Sequence, residues 1–316
     1  MRVARLVLSA FALGLAAPLG AARPQEARAA LAEARSALER EQPRRALRLA
    51  RKVLDQDPEP AQAVDAWLVV IDALADSGRY SRVVEECEKL LDTYPATGQR
   101  SAVLRREFEG AKALAASYAR VLFLRFPRLE EGVAALEKVI ERAPFGPLAD
   151  DAILAIADAY YQAGHYETAR DHCDRLLKHY PDSELASQAR KRRVLCNLRL
   201  TRGGAYNAAH AEQAGRDLER LARDGQPLEE PSQRVCEVMA ERQYEAGLFY
   251  FREGNIEGGL RYLESLIVNH PSSHYARRAR RLLEEGIIAK FPHTEYADRA
   301  RQFLAAHRPG TSEETP

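Results

Sequence analysis

YYQAGHYETARDHCDRLLKHYPDSELA, residues Tyr160 to Ala186, contains a helix end, a glycine turn, a second helix and a proline stop. Tyr166, Ala169, Cys173, Leu176, Leu177 and Tyr180 recur at spacings of three and four, which places them on one helical stripe. Gly164 ends the first helix, because glycine tolerates the left-handed conformation that a helix C-cap needs. Pro181 ends the second, since it has no amide hydrogen and biases Tyr180 away from helical angles. Ser183 falls where an N-cap is expected for the next helix.

The unit recurs along the chain. After Gly78 the stripe is Tyr80, Val83, Cys87, Leu90, Leu91 and Tyr94, closed by Pro95. After Gly254 it is Ile256, Leu260, Leu263, Leu266, Ile267 and His270, closed by Pro271. Looser copies close at Pro58 and Pro144. Closing prolines at 58, 95, 144, 181, 227 and 271 give steps of 37, 49, 37, 46 and 44, longer than the roughly 34 of a minimal two-helix repeat. Lengthened segments are therefore expected, and a single long helix is predicted over Gln99 to Phe126. The predicted fold is all-α, a right-handed superhelical solenoid of tetratricopeptide-like helix pairs over residues 25–307. A polar tail follows at 308–316.

Residues 1–22 read as an export signal. Arg2 and Arg5 precede the short apolar run Leu6 to Ala17, and Gly20, Ala21 and Ala22 supply the small residues of a cleavage site. The first cysteine is Cys87, so no lipid anchor is expected. Downstream of the signal no apolar run is long enough to span a bilayer. The expected location is the periplasm or the periplasmic face of the outer membrane. Without Arg2 and Arg5 the chain carries 45 basic and 46 acidic side chains, a net charge of −1, which argues against nucleic acid as a partner. Two local basic runs, Arg190 to Arg193 and Arg277 to Arg281, read as solvated helix faces, with docking of an acidic partner as the functional alternative.

Cys87 and Cys173 occupy the same stripe position and read as buried thiols. Cys196 and Cys236 lie in successive first helices, and spacing alone does not fix a pairing. His165, His172 and His179 fall at intervals of seven without an accompanying acidic set, so packing or surface roles are preferred to a metal site. Gly203–Gly204 lacks the Gly-Lys-Ser/Thr of a phosphate loop. No catalytic constellation is present, and the expectation is a non-enzymatic protein without cofactor or metal. An enzyme hidden in a helical fold is the rival class.

Three closing turns share one form: PDSELA at Pro181, PSSHYA at Pro271 and PHTEYA at Pro292; PFGPLA at Pro144 is a looser version. With the turn glycines and Trp67, Tyr80, Tyr160 and Tyr250, these resemble the tetratricopeptide repeat. The run from Met239 to Ala279, with Glu241, Tyr244, Gly247 and Phe249–Tyr250, resembles the BamD family of outer-membrane assembly factors. That resemblance implies a scaffold that holds the barrel-inserting subunit and receives unfolded barrel proteins. A Tol-Pal-associated division coordinator is the alternative relative. First helices of such repeats line a concave face. Asp65, Leu68 and Asp72 in one repeat, and Asp151, Leu154 and Asp158 in another, each share a helical face. With Tyr161 and Gln162 they form the expected acidic, partly apolar surface for an extended peptide.

Overall fold

The computed structural model describes residues 19–121, 124–201 and 208–308. Most of the expected export signal, the Gly203–Gly204 turn and nearly all of the polar tail lie outside the described residues. The chain divides into two compact units, one ending at Ala135 and the other running from Leu136.

The first unit contains α1 (Leu19–Glu39), α2 (Pro43–Leu54), α3 (Pro60–Asp76), α4 (Tyr80–Thr93) and α5 (Arg100–Ala115). Each of these helices packs on the next. Pro43 and Pro60 occupy first-turn positions, where the missing amide hydrogen removes no intrahelical bond. Ile71, Leu74, Leu90 and Leu114 are among the largest fully buried side chains. Each contributes about 1.5–3 kcal/mol of burial. Trp67 is tied twice: its indole donates to Glu86 at 2.8 Å, and its ring meets Tyr94 edge-on at 6.1 Å.

The long helix expected over Gln99 to Phe126 is not formed. α5 ends at Ala115, and an antiparallel hairpin follows, β1 (Tyr118–Val121) paired with β2 (Leu124–Pro127). Ser117 turns back to donate to the Leu114 carbonyl at 2.8 Å, an interaction that competes with helix continuation. α6 (Leu129–Arg142) then resumes the helical order.

The second unit continues with α7 (Ala149–Gln162), α8 (Tyr166–His179), α9 (Ala186–Leu200), α10 (Ala208–Arg223), α11 (Glu229–Arg252), α12 (Ile256–Asn269) and α13 (His274–Arg281). A π-helical turn, Leu282–Ile288, and α14 (Glu295–Ala306) complete it. After the closing proline at 227 the chain is helical from Glu229, with Pro231 in the first turn of α11. Gly78, Gly164 and Gly254 have φ of +68°, +85° and +76°, the left-handed turns anticipated from their spacing. Ser273 and Thr294 cap α13 and α14 by accepting from Ala276 and Ala297 at 3.0 and 3.3 Å. Ser183 does not cap a helix. It donates to Asp150 and accepts from the Leu185 amide, and α9 starts only at Ala186. The same closing signature thus ends in two different turns. The architecture is all-α, a tetratricopeptide-like array of helix pairs with one small hairpin.

Candidate functional site

The stripe residues form the core, as their period requires. Cys87 and Cys173 are fully buried, and all four cysteines are unbridged. Burial pushes the Cys173 thiol well above its usual range and the Cys196 thiol up to about 12. These are inert thiols in the sense that thiolate chemistry requires deprotonation. His172 stacks on Tyr160 at 5.7 Å, and desolvation lowers its pKa, so it sits neutral against the ring. His165 meets the same Tyr160 edge-on at 6.1 Å, and His179 is exposed at the end of α8. Among the described residues no group of three metal-ligating side chains converges.

The predicted binding residues lie on α3 and α7. In the first unit Asp65 pairs with Arg35 at 2.9 Å and accepts from Gln99 at 2.9 Å. Asp72 receives two parallel bonds from Arg106, at 2.7 and 2.9 Å, and hydrogen bonding to Asp72 raises the guanidinium pKa. Leu68 is half-buried on the same helix. In the second unit Asp158 accepts from Arg192 at 2.5 Å, and that guanidinium lies 4.5 Å over the Tyr161 ring. Leu154 is only 9% exposed and belongs to the core, while Gln162 is exposed at the end of α7.

These carboxylates therefore carry charge that the fold has compensated. The two partners are 34 residues apart in Asp65–Gln99, Asp72–Arg106, Asp158–Arg192 and Glu241–Tyr275. Each tie joins one helix to the equivalent position one repeat later. Arg190 to Arg193, expected as a solvated face, is likewise engaged. Arg190 approaches Asp224 at 3.9 Å, Arg192 holds Asp158, and Arg193 binds both Asp217 and Asp174.

Asp151 has a second context. It lines a cleft of about 980 Å³ built from the α6–α7 turn and the end of α8. Pro144, Phe145, His179 and Tyr180 supply much of the remaining wall. The Tyr180 hydroxyl donates to the Pro144 carbonyl at 2.6 Å and holds the turn against α8. Phe145 is 98% exposed, so its ring makes almost no contact within the chain. Flanked by Pro144, Gly146 and Pro147, it is the most exposed large hydrophobic side chain among the described residues. The sequence places Tyr180 on the helical stripe and Phe145 in the PFGPLA turn, and assigns neither a binding role. The signal was present in PFGP, an aromatic locked between turn formers.

Tetratricopeptide-repeat family models agree with this architecture. A family model described as outer membrane lipoprotein matches residues 124–255, and tetratricopeptide-repeat models match residues 31–96 and 243–273. No curated protein matches the chain. Among solved structures, the apo form of RapI shares 14% identity with a TM-score of 0.39. That match covers 84% of this chain and 66% of RapI, just under two thirds of the latter's length.

Proposed function

We propose that this chain, a BamD-like tetratricopeptide-repeat protein, is a non-enzymatic scaffold of outer-membrane protein assembly that receives extended segments of client or partner proteins. The match of residues 124–255 to the outer membrane lipoprotein family carries this reading, and the cleft beside Phe145 falls within the matched stretch. Among the described residues no helix is long and apolar enough to cross a membrane. The proposed location is the periplasmic face of the outer membrane.

Recognition is assigned chiefly to the α6–α7 cleft. An apolar side chain of the client covers Phe145, while Asp151 and the backbone of the turn meet its polar atoms. Tyr161 and Gln162 extend that surface along α7. The face of Asp65, Leu68 and Asp72 is the corresponding candidate in the first unit. The compensated aspartates hold successive helices at a fixed spacing, and the recognition energy comes from apolar and aromatic contact.

A photo-crosslinking amino acid at position 145 tests the proposal. Incubated with an outer-membrane barrel protein diluted from denaturant, it is expected to form adducts that the same probe at Arg252 does not. Phe145→Asp should weaken capture by about tenfold, the scale of a hot-spot contact, with an unchanged melting temperature. Undiminished capture by that variant would remove the cleft from the mechanism.

A further inference from the structure

The second basic run differs from the first. Arg190, Arg192 and Arg193 each face a carboxylate. In α13, by contrast, Arg277 donates to the Ser272 carbonyl and Arg280 to the His307 carbonyl. Arg278 is held by aromatic faces, 4.8 Å over Tyr244 and 5.7 Å over Tyr275. Among the described residues none of the four arginines of α13, nor Lys290, forms an ion pair with a carboxylate.

Three of these cations, Arg278, Arg281 and Lys290, line one pocket of about 350 Å³, and Tyr244 and Leu282 form its apolar wall. Among the described residues of the lining Glu285 is the only carboxylate, so these side chains carry a net charge of +2. The pocket lies against the π-helical turn Leu282–Ile288, where the backbone makes a wider loop than an α-helix. Gly286 belongs to this wall, and a Cβ there would stand 2.9 Å from Leu282 Cδ1, so a side chain would crowd the pocket lining.

We propose that this pocket binds a phosphate group. A phosphate monoester carries about −1.5 to −2 charge at pH 7, which matches the lining, and its oxygens can accept from two guanidiniums and an ammonium together. One carboxylate would offer two oxygens and a single charge, leaving the lining cationic. The volume lies near the lower end of the range for small-ligand sites, about 300–1,000 Å³, and suits a headgroup or a free anion better than a folded partner. The site is built from α13 and the π-helical turn and is independent of client capture.

Two probes distinguish the sources of the phosphate. The full chain is titrated with inorganic phosphate by calorimetry, and separately with vesicles of phosphatidylcholine alone or mixed with phosphatidylglycerol by co-sedimentation. Binding to either probe is expected. Phosphate binding without vesicle binding identifies a soluble ligand, and binding only to the anionic vesicles identifies a lipid headgroup. The R281Q/K290Q variant should lose at least about tenfold in affinity, as removal of charge-assisted bonds predicts. Its melting temperature should not change, since neither side chain is paired in the fold. R220Q/R252Q removes the same charge elsewhere in the unit and should bind within about twofold of the parent. Failure to bind both probes overturns the proposal. So does unchanged binding by R281Q/K290Q, or an equal loss in R220Q/R252Q.

Discussion

Asp217→Asn is expected to destabilise the second unit by about 3–5 kcal/mol, the scale for removing one partner of a buried ion pair. Asp217 and Arg193 side chains are only 5% and 14% exposed. Arg193 Nε donates to Asp217 at 2.8 Å and Nη2 at 2.5 Å, a two-pronged arrangement that uses the guanidinium fork fully. The remaining Nη1 donates to Asp174, whose side chain is 49% exposed. Asparagine keeps the shape of Asp217 but faces the fork with one amide, leaving a buried cation with only the half-exposed Asp174 as counter-charge. Asp174→Asn alters a solvated contact, and its effect should stay below about 1 kcal/mol. Replacing both partners, as Arg193→Met with Asp217→Leu, removes the desolvation penalty together with the attraction and should recover much of the loss. Urea unfolding followed by circular dichroism reads the difference. With a slope of about 2–3 kcal/mol per molar, the Asp217→Asn midpoint should fall by about 1–2 M. An Asp217→Asn effect no larger than that of Asp174→Asn would refute the assignment of this pair as the clamp of α8, α9 and α10.

Other expectations follow from the same packing. Gly132→Ala should cost about 3 kcal/mol or more in thermal unfolding, since its Cβ would stand 2.2 Å from the Ala115 backbone nitrogen and a backbone atom cannot step aside. Cys87→Arg and Cys173→Arg should each leave little folded protein by size-exclusion and circular dichroism, because each buries an unpaired charge in a filled stripe. Desolvation lowers the pKa of His172, His210 and His270 below the ordinary 6.5. The unfolded chain therefore takes up protons first, and stability present above pH 6.5 is lost as pH falls toward the folded values. His172→Phe, which keeps the stack on Tyr160, should flatten part of that decline in urea midpoints measured from pH 7.5 to 5.

Much of the fold was legible because Gly164, Gly254, Pro95 and Pro271 act locally. A glycine at positive φ or a proline without an amide hydrogen decides its turn whatever packs on it. The stripe through Cys173 and Leu176 was equally readable, since a helical period needs no knowledge of the partner. The hairpin at Tyr118–Pro127 was missed for a related reason. Leu114, Tyr118 and Leu122 satisfy a helical spacing, and the competing signal at Ser117 is a single hydroxyl. Ser183 and Ser273 occupy matching places in closing turns, yet only Ser273 caps; Asp150, in another helix, engages the Ser183 hydroxyl. The acidic surface was misjudged in charge because Arg106 and Arg192 lie 34 residues beyond Asp72 and Asp158. The repeat period itself contained that pairing, and comparing equivalent positions of neighbouring units would have exposed it.

The placement of arginine separates two uses of charge in this chain. Along the first helices, guanidiniums are matched to carboxylates one repeat away, so they fix spacing and contribute little field at a distance. A client reaching the α6–α7 cleft meets Asp150, Asp151 and Glu184 against Arg175, a net charge of −2, with one bare aromatic. Its capture should combine apolar contact at Phe145 with an attraction for basic segments that weakens as salt rises. At α13 and the π-helical turn the pattern reverses. There the cations are positioned by ring faces and backbone carbonyls, and the lining of one small pocket keeps its net positive charge. Elsewhere an aspartate or glutamate meets arginines that tie two helices, as at Arg106, Arg175, Arg192, Arg193 and Arg299. The unmatched cations of the pocket form no such tie, which is the physical reason to seek their counter-charge in a ligand.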